Sequence, residues 1–305
     1  MANIGIIGSG NVGANTAFFL AEKNVADALL YDVKEGLSKG KTLDMMEAAA
    51  VRGYQRKLSG TDSLQEVLAS DILVVAAGAF REPGQKRDEL FDANKGLIEE
   101  LGGQLKGHSG IVILATEPVD ALTTLFVQKS GLPRERVIGV GGVLDATRLR
   151  YLLAQELKVG MADVAATVIG THNDYMVPLK DYTTVGGIPV KHLLPDPQIT
   201  ALFDATRLAG DELLATAQRT SAYYGPAAAV CDIAEAIVGD TNRVLSVSFV
   251  LDGELGVSGV AASLPAAIGA GGITRVMLPK VADGEKKRFA DGAAAVAQIL
   301  EGSAK

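Results

Sequence analysis

Cysteine, tryptophan and histidine are nearly missing from this 305-residue chain, which has one Cys, no Trp and three His. The lone Cys231 cannot close an internal disulfide, so packing has to hold the fold, and the chain is expected to be intracellular and cytoplasmic. No Cys pair and no His-x-x-x-His occurs, which gives no reason to expect a metal. No Gly-x-Ser-x-Gly elbow follows a strand-like run, which removes that route to serine hydrolysis. A charged and then apolar leader with a cleavage site is also missing at the N-terminus. Long apolar runs are absent as well: the longest uncharged stretch includes residues 256–274, with five Gly and Pro265, so no membrane span is expected. Basic residues are outnumbered, 29 Lys+Arg against 36 Asp+Glu, for a formal net charge of −7. Nucleic acid is therefore not an expected partner, although local Arg clusters can still hold small anions. What the chain does have is 48% hydrophobic and 21% charged residues, enough for two packed lobes and incompatible with wholesale disorder.

The first half alternates short apolar runs with amphipathic stretches. Residues 3–8, 27–33, 71–78, 110–116 and 137–140 are near-continuous hydrophobic strands, as in a parallel sheet covered on both faces. Helical spacing fills 12–23, 41–51, 92–106 and 120–130, so the fold class is α/β, a doubly wound parallel sheet. After about residue 142 the pattern changes. A helix is predicted over 145–158, a strand over 164–169, a hairpin over 182–190, helices over 197–219 and 227–237, antiparallel strands over 244–250 and 254–261, and a closing helix over 283–300. This divides the chain into residues 1–143, a dinucleotide-binding lobe, and residues 144–305, an α+β substrate and catalytic lobe.

Gly8-Ser9-Gly10-Asn11-Val12-Gly13 follows the first strand and opens a helix. Glycines there permit a tight turn, close approach of a pyrophosphate and close helix packing, while the helix N-terminus offers unpaired N–H groups. Asp32 closes the second strand, where a carboxylate accepts both ribose hydroxyls and repels a 2′-phosphate, so the expected cofactor is NAD rather than NADP. Residues 78–90 (GAFREPGQKRDEL) lie past the end of a central strand and hold Arg81, Lys86 and Arg87. That composition suits a lid closing over an anion; alone, it equally suits a solvated loop. Asp145 and Arg148 share one helix face, able to orient an imidazole and to grip a carboxylate, or simply to pair at the surface. His172 ends an apolar strand; held by Asp145 it would be a general acid and base, and otherwise a structural histidine.

Together these residues resemble the lactate/malate dehydrogenase family, and within it the malate dehydrogenases of lactate-dehydrogenase-like type. The carriers are GSGNVG at 8–13, Asp32, AAGAFREPGQKRDEL at 76–90, Asn94, EPVDALT at 117–123, GVLDATRLR at 142–150, THNDYMVPL at 171–179 and SAYYGPA at 221–227. The resemblance spans essentially the whole chain. It implies a Rossmann-type first lobe and NAD-dependent interconversion of (S)-malate and oxaloacetate, in a homodimer or homotetramer. It further implies that His172 exchanges the proton and Asp145 orients it, that Arg148 binds the C1 carboxylate, and that Arg87 polarises the C2 carbonyl. Asn94 and Thr116 would stand with residues 8–13 at the cofactor. Arg81 takes the position that selects substrate, where a guanidinium pairs with the second carboxylate of oxaloacetate but is left unpartnered by pyruvate.

Two positions depart from the family pattern. Glu117 stands where Asn is usual, and Asn173 follows the histidine where Gly is usual. An ionised Glu117 cannot donate a hydrogen bond and adds negative charge to the substrate site; burial beside a dianion predicts a raised pKa and protonation on substrate binding. Asn tolerates positive φ, so Asn173 is expected to keep the glycine's turn. Glu117 also keeps alive a dehydrogenase of another 2-hydroxy acid, and an NAD-binding protein without turnover is a further alternative.

Overall fold

The computed structural model describes residues 3–82, 84–217 and 221–302. Its first half runs β1 (Ile4–Ile7), α1 (Asn11–Glu22), β2 (Ala28–Tyr31), α2 (Leu37–Arg52), β3 (Leu58–Thr61), α3 (Leu64–Leu68), β4 (Ile72–Val75), α4 (Phe91–Gln104), β5 (Ile111–Leu114), α5 (Val119–Ser130) and β6 (Val137–Gly139). β1, β4, β5 and β6 are buried at every position, which is why their sequences are continuous apolar runs rather than alternating ones. β3 and α3 have no counterpart in the sequence reading. Leu58-Ser59-Gly60-Thr61 is too polar for an apolar run, yet it pairs in parallel with β2. A Cβ on Gly60 would sit 2.3 Å from the backbone of Ser38 and Lys39, so α2 can lie on this edge strand only because residue 60 is glycine.

The second half runs α6 (Gly141–Leu157), β7 (Val164–Ala165), β8 (Val168–Ile169), β9 (Val177–Pro178), β10 (Thr184–Val185), β11 (Ile188–Pro189), α7 (Asp196–Ala217), α8 (Tyr224–Val238), β12 (Arg243–Asp252), β13 (Ser258–Gly269), β14 (Gly272–Val276) and α9 (Asp283–Gly302). The strand expected over 164–169 is broken in two, β7 entering a three-stranded sheet with β10 and β11, and β8 pairing with β9. The expected hairpin is β10–β11, whose two-residue turn places Gly186 and Gly187 at positive φ, the arrangement hairpin twist favours. Residues 218–220, which include the end of the helix expected over 197–219, lie outside the described residues, as does Pro83 of the 78–90 segment. The strand expected over 254–261 starts later and runs longer: residues 254–256 form a single turn, and the uncharged run beyond it becomes the β13–β14 hairpin.

These last strands do not make a separate layer. One nine-stranded sheet has the order β14-β13-β12-β6-β5-β4-β1-β2-β3, and the pairing of Ser248 with Gly139 joins the antiparallel hairpins to the parallel strands. α5 is buried along most of its length against β12 and β13. β1 lies between β2 and β4, the point where chain order along the sheet reverses, and ligands in open α/β sheets bind outside the carboxyl ends of strands there. Gly8, Asp32, Gly78 and Thr116 all follow such ends. Among the described residues no helix is long and apolar enough to cross a membrane.

Candidate active site

A cleft of about 360 Å³ opens at those strand ends, running from Gly8, Gly10, Asn11, Val12 and Asp32 to Thr116, Glu117, Arg87, Arg148 and His172. Its first half is shaped by contact distances. Gly8 has φ +100°, and a Cβ on it would lie 2.6 Å from the Ala77 nitrogen; a Cβ on Gly13 would lie 1.9 Å from the Gly8 carbonyl oxygen. Larger residues would push α1 off the turn. A Cβ on Gly10, by contrast, would meet nothing within 4 Å, and no side chain caps the N-terminus of α1. The first-turn N–H groups are thus left for an anion. Asp32 is fixed by two backbone donors, accepting from the Ser9 N–H at 2.8 Å and from the Lys34 N–H at 3.0 Å, one on each oxygen, which leaves lone pairs for hydroxyl groups. An open glycine cradle, an uncapped helix end and an oriented carboxylate fit a dinucleotide.

Three residues expected to contact the cofactor serve the walls instead of lining the cleft. Gly13 packs on Gly8. Ser9 is buried, and its carbonyl accepts from Lys41 Nζ at 2.7 Å. Asn94 accepts from the Ala79 N–H and donates to the Glu117 carbonyl, both at 2.7 Å, so its amide ties the start of the 78–90 segment to the Glu117 backbone. Thr116 does line the cleft, its hydroxyl donating to the Ala77 carbonyl at 2.7 Å.

The other half of the cleft converges on His172. Helical spacing on α6 places Asp145 and Arg148 on one face, and Asp145 Oδ1 lies 2.8 Å from His172 Nδ1. The His172 N–H donates to Asp120 Oδ2 at 2.6 Å, and the Ser248 hydroxyl donates to Asp120 Oδ1 at 2.5 Å. Helices α5 and α6 and strand β12 therefore hold one imidazole. The ring's other nitrogen faces the cleft with Glu117 Oε1 at 3.3 Å, and the same oxygen is 3.7 Å from Arg87 Nε. Arg87 sits in a turn at Arg87–Leu90 and is only 7% exposed. It crowds with Arg148 against Gly210 of α7, where a Cβ would lie 2.3 Å from Arg87 Nη2 and 3.4 Å from Arg148 Nη2. Arg81 Nη2 lies 2.5 Å from Asp211 Oδ1, and its Nε donates to the Gln85 carbonyl at 2.7 Å.

Burial opposes charge on His172, but the negative charges of Asp145 and Glu117 and the hydrogen bonds to them prevail, pushing the imidazole up to about 9. Burial also opposes ionisation of Glu117; here the charge of His172, its hydrogen bond, and the charges of Arg87 and Arg148 win and hold the carboxyl at about 2. Without a ligand the cations around Glu117 outweigh its burial, so the rise expected beside a dianionic substrate would have to start from this low value. Asp120 behaves oppositely, because burial dominates its two hydrogen bonds and pushes it up to about 6. Glu117 Oε2, Arg148 Nη1 and His172 Nε2 are buried without a well-formed hydrogen bond among the described residues, an arrangement that a polar ligand satisfies. Asn173 also differs from expectation. It is not among the positive-φ residues, and Gly170 carries that conformation instead. The Asn173 side chain closes the turn by accepting from the Thr171 hydroxyl at 2.8 Å and the Tyr175 N–H at 3.0 Å. Sequence reading gave no role to Asp120, Ser248, Gly210 or Asp211. Asp120 lies inside the EPVDALT segment, while nothing local marks the other three.

A family model described as the NAD-binding domain of lactate/malate dehydrogenase matches residues 2–139, and one for the alpha/beta C-terminal domain matches residues 142–304. The chain belongs to the lactate/malate dehydrogenase family. It is 40% identical over 300 residues to the malate dehydrogenase of Thermomicrobium roseum, covering 98% of this chain and 97% of that one. The solved malate dehydrogenase from Aeropyrum pernix superimposes with a TM-score of 0.92 at 37% identity, over 98% of this chain and 97% of the other. A lactate dehydrogenase from Cryptosporidium parvum, solved with lactic acid and nicotinamide adenine dinucleotide, reaches 0.93 at 32% identity over 98% and 97%. Family members thus include enzymes of both substrate types, and the cleft's own residues have to carry the distinction.

Proposed function

We propose that this protein is an NAD-dependent malate dehydrogenase, interconverting (S)-malate and oxaloacetate, with His172 as the proton-exchanging group. The observation that carries this reading is the buried His172, fixed by Asp145 through Nδ1 and by Asp120 through its backbone N–H, with Nε2 turned to a cleft that holds three arginines. The α1 N-terminus and Asp32 would hold NAD, which when bound would supply the acceptor for the hydride leaving C2 of malate. In that direction His172 Nε2 receives the C2 hydroxyl proton, and Asp145 stabilises the resulting imidazolium. In reduction the protonated ring returns the proton to the C2 oxygen while Arg87 draws electron density from the carbonyl. Arg148 anchors the C1 carboxylate. Arg81 pairs with the C4 carboxylate, which is the feature that prefers oxaloacetate over pyruvate. Resemblance to the family supports a cytoplasmic homo-oligomer, a dimer or tetramer, which light scattering distinguishes.

The test is NADH oxidation with oxaloacetate, pyruvate and 2-oxoglutarate compared by kcat/KM. Oxaloacetate is expected to lead, and Arg81→Gln is expected to lower its lead at least tenfold, the loss of one charge-assisted pair. A ratio untouched by Arg81→Gln removes Arg81 as the discriminator. Preference for another 2-oxo acid supports the second reading, a different 2-hydroxy acid dehydrogenase, which the ionised Glu117 beside His172 favours.

A further inference from the structure

Each arginine of the cleft already has a protein carboxylate within 4 Å: Asp211 for Arg81, Glu117 for Arg87 and Asp145 for Arg148. Glu117 and Asp145 are tied to His172 as well. Asp211 differs from both. Its only ion pair among the described residues is with Arg81, and its side chain is 43% exposed where that of Arg81 is 14%. It stands on α7 next to Gly210, the residue against which Arg87 and Arg148 crowd, so the pair spans from the 78–90 segment to the wall of the substrate site.

We propose that Asp211 is a specificity-determining residue of this site: it holds the guanidinium of Arg81, and the second carboxylate of a dicarboxylate substrate has to take its place. The proposal rests on the reading of Arg81 as the partner of that second carboxylate. Arg81 already spends Nε on the Gln85 carbonyl and Nη2 on Asp211, and two carboxylates on one cation repel each other, so a second anion binds at the expense of the first. Half-exposed Asp211 is the partner that yields, because its charge can be rehydrated as it swings away. For a monocarboxylate 2-oxo acid the consequence is reversed. A methyl group facing an unpaired, poorly solvated cation is disfavoured; with Asp211 in place the cation stays paired and that penalty falls. Asp211 therefore narrows the discrimination between oxaloacetate and pyruvate from both sides.

Asp211→Asn removes the competing charge while keeping size and exposure. At saturating NADH, KM for oxaloacetate is expected to fall about three- to fivefold, the size set by displacement of one part-exposed ion pair. The corresponding inhibition constant of hydroxymalonate, a dicarboxylate, should fall in step while that of oxamate does not. kcat/KM for pyruvate is expected to stay level or decline, so the oxaloacetate-to-pyruvate ratio rises. In the Arg81→Gln background the same substitution should leave the ratio unchanged, since the cation it acts through is gone. An unchanged or lowered ratio in Asp211→Asn overturns the proposal. Equal losses for both substrates would mean that Asp211 only fastens the 78–90 segment to α7. A rise that persists with Arg81→Gln would mean a general field effect. If Arg81→Gln alone leaves the ratio untouched, the reading of Arg81 fails; if it collapses the ratio while Asp211→Asn does nothing, only the Asp211 proposal fails.

Discussion

Replacing Glu117 with Gln should lower the pKa of His172, and the size of the shift can be worked from the geometry. Glu117 Oε1 lies 3.3 Å from Nε2; at an effective dielectric of about 20 two unit charges at that separation attract by about 5 kcal/mol. At about 1.4 kcal/mol per pH unit, this sets a ceiling of about 3 to 4 units. The glutamine amide keeps an oxygen near the ring and the cleft admits water, so the realised shift should be roughly 1 to 2 units. That brings the imidazole from about 9 towards 7, with Asp145 alone opposing burial. The protein has three histidines, so the imidazole C2 protons can be followed by NMR across pH in the ligand-free protein. The His172 midpoint should move down while that of His108, whose charged neighbours are Asp71 and Arg136, stays. The stability linkage has the same sign. A histidine whose folded pKa is raised contributes stability in full below its unfolded pKa, near 6.5, and loses it as pH rises through about 9. In Glu117→Gln the loss starts from the same unfolded pKa but should be smaller and complete at lower pH. Oxaloacetate reduction consumes the protonated ring, so the alkaline limb of kcat/KM should shift down with the NMR midpoint. An unmoved midpoint would mean that Asp145 alone sustains the imidazolium and that the Glu117 contact contributes nothing.

Two further substitutions separate chemistry from support. His172→Asn should leave NADH binding by fluorescence titration near its original strength and lower turnover ~100-fold or more, the typical loss of a positioned proton donor; near-normal turnover removes His172 from the mechanism. Ser248→Ala should cost about 1–3 kcal/mol in chemical denaturation, because Asp120 Oδ1 loses its donor in a buried setting, and an unchanged denaturation midpoint would mean that the oxygen finds another partner.

The candidate site residues were legible in the sequence because their signals are local. A strand running into GSGNVG, an acid closing the next strand, and Asp145 and Arg148 three residues apart can each be read within a short window, and the structure lines one cleft with Gly8, Gly10, Asn11, Val12, Asp32 and Arg148 while Asp145 stands behind His172. The sheet was less legible where the signal is weak or misleading. β3 is short and polar, and β13 is buried on both faces within an uncharged glycine-rich run that shows no period of two.

What the chain hid were the partners of the ligand-facing groups. Asp120 and His172 are 52 residues apart, and Ser248 and Asp120 are 128 apart; Asp211 reaches the loop residue Arg81 from α7. No periodicity encodes such pairs, because they exist only after the sheet has closed. Glu117 bears the effect most plainly. Burial by itself argues for a raised pKa of this carboxylate. Its neighbours in space are His172, Arg87 and Arg148, and their summed charge reverses the sign. The type of each group in the site can thus be read from the sequence. Its ionisation depends on charges delivered by other elements, and the balance between Arg81 and Asp211, on which substrate choice is proposed to turn, belongs to that second kind.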